Sequence, residues 1–290
     1  MTVLMKVPMR VMVAGAAGQL GQAIVARLAR DHEVIPCTRA DVDLTAQAAT
    51  FDFIRRVRPR AIVNCASYNA VDAAERNQQH AFATNAFVPR TLARAAEELD
   101  AVLIHYGTDF VFSGTSDRPY TEADLPEPRS VYAQSKLVGE WMAADWRRHY
   151  VVRIESLFGG TQARSSVDRI VAAVRNGAVA PVFFDRVTSP SFIEDVAAAS
   201  AHLLLTGAPF GLYHCVNTGH ATWLELGQEI ARVLGRSDEA LKPMSVDEVK
   251  FPASRPRFAA LSNRKLAEAG FPMPTWQDAI GRHLRGTAAV

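Results

Sequence analysis

"RVMVAGAAGQLGQAIVARLAR", residues 10–30, decides the fold. Its first part, "RVMVAG" (10–15), is an apolar run that ends in glycine. Its last part, "QLGQAIVARLAR" (19–30), sets Leu20, Ile24, Val25 and Leu28 on one helical stripe. Between strand and helix, "GAAGQLG" spaces Gly15, Gly18 and Gly21 three residues apart. A loop of this kind turns tightly and lets backbone approach a ligand closely. It also aims the first N–H groups of the helix at an anion. The plain alternative is a glycine-rich connection with no ligand. At the head of a βα unit, the pattern points to the pyrophosphate of a dinucleotide.

The rhythm continues outward from this unit. "HEVIPC" (32–37) reads as a second strand, and "TAQAATFDFIRRV" (45–57) as a helix with Thr45 as N-cap and Pro59 beyond its end. "AIVNCAS" (61–67) is a third strand, 78–99 a long helix and "AVLIHYG" (101–107) a fourth strand. Strands alternating with helices predict right-handed βαβ units. The fold class is α/β: a doubly wound parallel sheet, the Rossmann fold, with a smaller α/β C-terminal substrate lobe. After residue 109 the rhythm changes. "SGTSDRPYTEADLPEPRS" (113–130) reads as a long loop, which in a compact domain is functional or disordered. A helix over 130–148 and a strand, "YVVRIES" (150–156), follow, then helices near 167–176, 192–206, 222–234 and 275–285 with few strands. The boundaries predict a dinucleotide-binding domain over 1–155, with a returning segment at about 186–212. About 156–185 and 213–290 form the substrate lobe, expected over the carboxyl edge of the sheet, where open α/β sheets bind ligands.

Composition excludes several classes. The 290 residues carry 32 basic and 30 acidic side chains, net +2, without the basic field of a nucleic-acid binder. No apolar run is long enough to span a membrane. "MTVLMKVPMR" (1–10) is broken by Lys6 and Pro8, too early for a signal-peptide core. Cys37, Cys65 and Cys215 are odd in number and scattered, which fits neither a disulfide framework nor a zinc site. The expectation is a reduced, cytoplasmic protein, with Cys65 and Cys215 as buried fillers. None of the eight histidines has metal-ligand spacing, and no metal is expected.

Three further stretches carry chemistry. The second strand ends in Thr38 and Arg39 with no acid at its tip, Asp41 and Asp43 coming later. An acid there suits a free ribose 2′-OH and an arginine a 2′-phosphate, so NADPH is expected over NADH, with NADH left open. In "SVYAQSKLVGE" (130–140), Tyr132 and Lys136 are one turn apart on a helix. A nearby ammonium favours the phenolate. A phenol so tuned can protonate a carbonyl oxygen while hydride reaches its carbon. Thr108, at the end of the fourth strand, can donate to the same oxygen. Asn85, a poor helix former in mid-helix, reads as lining a proton-relay water path or as a satisfied polar residue against a neighbouring loop.

The glycine loop, "NCASYNAVDAAE" (64–75), "TDFVF" (108–112), "PYTEAD" (119–124), "VYAQSK" (131–136), "DRVTSPSFIEDVA" (185–197) and "RPRFAALSNRKL" (255–266) occur in order along the chain. Together they resemble the dTDP-4-dehydrorhamnose reductase family of extended short-chain dehydrogenases/reductases over almost its whole length. The resemblance implies Thr108, Tyr132 and Lys136 as the catalytic set. It implies Gly15, Gly18, Gln19, Leu20 and Gly21 around the pyrophosphate, and Arg39, Asp43 and Leu44 at the adenosine end. Ala66, Ser67, Tyr68 and Asn85 would complete the cofactor site. Val71, Asp109, Phe110, Val111 and Ser156 would face the sugar, and Arg255 its diphosphate. The implied substrate is a nucleotide-linked 4-keto-6-deoxyhexose. A homodimer, and a metal at a dimer contact, are compatible with the resemblance alone.

The match departs from the family pattern at four places. Gly107 replaces a serine, Ser156 stands where a tryptophan packs on the sugar, and Arg186 and Thr188 replace a glutamine and a glycine. All lie toward the substrate side, so another sugar, or another configuration at the reduced carbon, is expected as an alternative. Dehydration is disfavoured, because Phe110 stands where dehydratases carry glutamate. A second alternative is a non-catalytic NADP-binding subunit resembling the regulatory subunit of methionine adenosyltransferase, since fold does not fix function.

Overall fold

Strand and helix alternate as the periodicity predicts. The computed structural model describes residues 8–286; the apolar start at 1–7 lies outside the described residues. The first part of the chain forms β1 (Arg10–Ala14), α1 (Gln19–Leu28), β2 (Glu33–Cys37), α2 (Gln47–Val57), β3 (Ala61–Asn64), α3 (Val71–Ala74), α4 (Gln78–Phe82), α5 (Val88–Glu98), β4 (Val102–Thr108), α6 (Val131–Ala144) and β5 (His149–Ile154). The remainder forms β6 (Leu157–Phe158), α7 (Ser166–Asn176), β7 (Ala180–Phe183), β8 (Val187–Thr188), β9 (Ser191–Phe192), α8 (Ile193–Thr206), β10 (Gly211–His214), β11 (Ala221–Thr222), α9 (Trp223–Leu234), β12 (Leu241–Met244), α10 (Arg264–Glu268) and α11 (Trp276–Gly286).

Six strands form one sheet in the order β2-β1-β3-β4-β5-β10, with β1 parallel to β2 and β3, and β3 parallel to β4. All four residues of β3 and four of five in β1 are buried. That is the pattern of strands covered on both faces. The strand order reverses between β1 and β3, the switch point where open α/β sheets hold their ligands.

The chain divides into two compact units. The first runs to Gly107 and adds Ser130–Val152 and Ala197–Tyr213; the second holds Thr108–Arg129, Arg153–Val196 and the chain from His214 onward. The expected returning segment, 186–212, is thus shared: Ala197–Tyr213 belongs with the first unit, 186–196 with the second. The first core gathers Met12, Ile54, Ile62, Leu92 and Leu103. The second gathers Phe158, Ile170, Phe192, Leu226 and Ile280. Within the second unit β6 pairs with β9 and β7 with β12, both parallel, and β8 pairs antiparallel with β11.

Three local readings change. Thr45 does not cap α2: its hydroxyl donates to Asp43 Oδ1 at 2.7 Å, and the helix starts two residues later behind Ala46. The helix expected over 78–99 runs without a gap from Gln78 to Glu98, but a π-turn, Ala83–Phe87, lies between α4 and α5. The 113–130 loop is ordered by Tyr120, whose ring stacks on Phe112 at 4.1 Å and whose hydroxyl accepts from Gly114 N and Ser116 N. Among the described residues, no helix is long and apolar enough to cross a membrane.

Candidate active site

The glycine loop is built by close packing. Gly15 has φ +73°, and a Cβ there would lie 2.6 Å from Ala66 N. A Cβ on Gly21 would lie 2.2 Å from Gly15 O, and one on Gly18 at 3.2 Å. The loop therefore tolerates only glycine where it folds against β3 and α1. Gly18 is an extended N-cap that offers no side-chain bond to α1, whereas Ser165 and Thr222 form capping boxes on α7 and α9. The first N–H groups of a helix lack intrahelical partners, and nothing on the cap side chain competes with an anion for those of α1.

A cleft of about 770 Å³ opens from this loop. Its wall brings together Gly15, Gly18, Arg39, Asp43, Leu44, Ala66 and Ser67, all expected at the cofactor. Cys65 also lines it, half-buried, so it is not the buried filler expected; Cys215 is fully buried. Asp41 is committed to its own turn, where Oδ2 accepts from Thr38 N and Oγ1, both at 2.8 Å. Arg39 is exposed on the rim. Size, glycine cradle and uncapped helix fit a dinucleotide.

Asn85 sits in the π-turn and is buried. Its Oδ1 accepts from Ser67 Oγ at 3.0 Å and Tyr68 N at 2.7 Å. Its Nδ2 donates to Tyr68 O at 3.1 Å and Ser135 Oγ at 3.0 Å, and Ser135 Oγ donates onward to Tyr132 O at 2.8 Å. The side-chain amide is saturated, and it fixes the Ser67–Tyr68 loop against the Tyr132 turn.

Ser130 caps α6, and Tyr132 and Lys136 are both buried on its inward face. Lys136 Nζ donates to Tyr106 O at 2.6 Å. Burial pulls the ammonium down to about 8, against partial support from Glu140 and Cys65. His105, on β4, is held neutral by burial and by Lys136, so Lys136 remains the cation of this region. Asn64 Nδ2 contacts His105 Nδ1 at 3.1 Å, while Asn64 Oδ1 accepts from Ala66 N. Sequence reasoning missed this pair; the asparagine and histidine lie 41 residues apart.

The second unit contributes a different chemistry. Thr108 Oγ1 donates to Asp109 Oδ1 at 2.9 Å, and Asp109 Oδ2 is buried with no hydrogen-bond partner. Burial raises the Asp109 carboxyl to about 6, with Arg186 and Thr108 pulling it back. Glu155, also unforeseen, is buried beside it. Burial first, and the Asp109 charge second, push Glu155 well above the carboxylate range. Thr188 Oγ1 donates to its Oε1 at 2.5 Å and Ser189 N to its Oε2 at 2.7 Å. Arg186 carries the compensating charge, its guanidinium 5.9 Å from the Phe110 ring. Val111 is fully buried, Val71 opens α3 half-buried, and Arg255 stacks 3.9 Å over Phe251. A pocket of about 370 Å³ lies between α7 and β7, with Trp223, whose indole N–H is unpartnered, on its wall. Among the described residues, no cluster of histidine, cysteine and acidic side chains could hold a metal.

The first unit thus combines a cleft that fits a dinucleotide with a buried lysine one helical turn from a buried tyrosine. The class so defined is that of NAD(P)H-dependent oxidoreductases. The RmlD substrate binding domain family matches residues 9–288, and the chain belongs to the dTDP-4-dehydrorhamnose reductase family, whose members reduce sugar nucleotides. It is 33% identical to the dTDP-4-dehydrorhamnose reductase of Streptomyces griseus, over 93% of this chain and 91% of that protein. It is 32% identical to the dTDP-4-keto-6-deoxy-D-glucose reductase of Streptomyces niveus, over 93% and 95%. The dTDP-4-dehydrorhamnose reductase of Bacillus anthracis, solved in complex with NADP, superposes with a TM-score of 0.91 at 27% identity, over 97% of this chain and all of that one.

Proposed function

We propose that this protein reduces the 4-keto group of a nucleotide-linked 4-keto-6-deoxyhexose and takes NADPH as its reductant. Bound in the cleft, NADPH supplies the hydride that the keto carbon takes. The main chain of Gly15–Gly21 and the N-terminus of α1 would hold its pyrophosphate, where a helix end favours negative charge. Arg39 would pair with the 2′-phosphate as a planar fork; Asp43 and Leu44 would border the adenine. Ala66, Ser67 and Tyr68 would line the nicotinamide side, held there by Asn85. The NADP-bound B. anthracis relative supports this choice of cofactor.

Tyr132 O–H gives its proton to the oxygen of the ketone. Lys136 favours the phenolate that remains and would also hold the nicotinamide ribose. Thr108 Oγ1 turns from Asp109 to the same ketone oxygen and polarises it, leaving Asp109 to take a hydrogen bond from the sugar. Arg255 meets the diphosphate. The observation that carries this reading is the 2.6 Å bond from Lys136 Nζ to Tyr106 O, which fixes the ammonium one helical turn from Tyr132.

The two Streptomyces relatives, 33% and 32% identical to this chain, bear the names of reductases of different ketosugars, so overall identity does not choose the sugar. The test follows NADPH absorbance with dTDP-4-keto-6-deoxyhexoses of both C5 configurations. Wild-type protein oxidises NADPH. Tyr132→Phe still binds NADPH but loses about 10²- to 10⁴-fold in turnover, the range for a general acid. Undiminished turnover by that variant would end the proposal.

A further inference from the structure

At the end of β5 a polar chain runs from the surface to a buried carboxyl. Ser156 is half-exposed and has φ +45°, a left-handed conformation that costs a serine about 1 kcal/mol or more. Its Oγ lies 2.6 Å from Thr188 Oγ1, which donates to Glu155 Oε1 at 2.5 Å. Ser189 N closes on Oε2 at 2.7 Å, and Ser189 Oγ accepts from Leu261 N, so the inner end of the chain is anchored.

The order of protons follows. A threonine hydroxyl has a single proton. Given to Glu155, it is unavailable to Ser156, so the 2.6 Å contact is donated by Ser156. The outward side of Ser156 Oγ then presents lone pairs. A proton on Glu155 reverses both hydroxyls, and Ser156 presents its proton instead. The chain abuts Thr108 through Asp109, whose carboxyl and that of Glu155 act on each other. A buried carboxyl, a strained surface serine and the orphan Asp109 Oδ2 are costly to keep in a fold. They become intelligible if a ligand completes them.

We propose that Ser156 Oγ binds a ring hydroxyl of the sugar, with Thr188 and Glu155 as positioning residues that orient it. A sugar hydroxyl both donates and accepts, so it complements Ser156 in either proton order; a deoxygenated ring carbon complements neither. The substrate class is thereby narrowed to hexoses that keep the hydroxyl facing Ser156. This inference rests on the reductase reading, and its test separates the two.

The experiment measures kcat/KM for dTDP-4-keto-6-deoxyglucose and its 2-deoxy and 3-deoxy analogues. The proteins are wild type, Ser156→Ala, Thr188→Val and Thr188→Ser. Wild type disfavours one deoxy analogue by about tenfold, the upper range for one neutral hydrogen bond. Ser156→Ala and Thr188→Val reduce that preference to about twofold, through KM with kcat little changed. Thr188→Ser, which keeps the hydroxyl, restores it. Preference retained in both Ser156→Ala and Thr188→Val, or absent from wild type, overturns the inference. Should no ketone be reduced, calorimetric binding of dTDP-rhamnose and its 2-deoxy and 3-deoxy forms to the same proteins gives the same comparison. Selective binding without turnover then retains the hydroxyl site and refutes the reductase. Failure of wild type to bind any of the three refutes both.

Discussion

Replacing Lys136 by methionine separates the charge of this lysine from its shape. Burial lowers the folded-state pKa to about 8 from an ordinary 10.5, with Glu140 and Cys65 offsetting part of the loss. Below pH 8 the ammonium is charged in both folded and unfolded chains, and the penalty for burying it is fully present. Between pH 8 and 10.5 the unfolded chain still binds a proton that the folded chain has released, so stability rises with pH. The interval is about 2.5 pH units, and at 1.36 kcal/mol per unit it corresponds to about 3 kcal/mol. Lys136→Met removes the titration. It also leaves Tyr106 O without its donor, but that loss does not vary with pH and drops out of the slope. Urea denaturation of both proteins without cofactor, at pH 7, 8, 9 and 10.5, gives the difference. Wild type should gain about 3 kcal/mol on Lys136→Met across the series. Parallel profiles would refute the claim that the fold penalises this charge. The same titration reaches turnover: activity should fall along an alkaline limb near pH 8 as Lys136 loses its proton. Glu140→Gln, which removes the support, should move that limb to lower pH.

Three other substitutions test neighbouring parts of the argument. Arg39→Ala should raise the Kd for NADPH about 10- to 100-fold, the worth of a charge-assisted bond, and leave NADH nearly unchanged; equal losses in titration calorimetry would remove the 2′-phosphate role. Gly139→Ala would place a Cβ 1.9 Å from Asn85 O, so α6 must shift. The expected cost is about 1–3 kcal/mol or more, read as a lowered Tm with reduced turnover. Asn85→Ala releases Ser67, Tyr68 and Ser135 together. KM for NADPH should rise several-fold while the pH profile keeps its shape, and a displaced limb would restore a proton-relay role.

What was legible in the sequence was whatever repeats over short range. The β1–α1 unit could be read because Gly15 and Gly21 are demanded by backbone contacts within the loop and its neighbouring strand, and because Leu20, Ile24 and Leu28 fall on one buried stripe. Tyr132 and Lys136 could be paired because four residues make a helical turn. The π-turn at Ala83–Phe87 could not be read. It inserts one residue into a ladder whose apolar period on either side is intact. Thr45 has the right chemistry for a cap, but Asp43 two residues earlier takes its hydroxyl and its N–H, a competition that residue type does not decide. In the second unit the strands have two to four residues. Alternation has no length over which to register there.

Asn85 and Glu155 show why polar residues were the harder half of the site. Asn85 could be read as a relay or as a satisfied amide, and only its partners decide, 17 residues back at Tyr68 and 50 ahead at Ser135. With both of its side-chain amide groups used, the Asn85 side chain ties the Ser67–Tyr68 loop to the Tyr132 turn. Glu155 comes directly after Arg153 and Ile154, the last two residues of β5, where a carboxylate would ordinarily face water. The partners that let it be buried, Thr188 and Ser189, come 33 and 34 residues later. Ser156 and Thr188, which depart separately from the family pattern, are in contact, and Glu155 is bonded to Thr188. One polar arrangement accounts for both departures, so exchanging either alone should be worse than exchanging Glu155, Ser156 and Thr188 together. Ser156→Trp alone meets a polar chain left without its outer hydroxyl, and Thr188→Gly alone strands Glu155. The triple variant Glu155→Ser/Ser156→Trp/Thr188→Gly removes the chain entirely. It should recover stability that Thr188→Gly loses, and a thermal melt in which the losses simply add would show that the chain is not a unit.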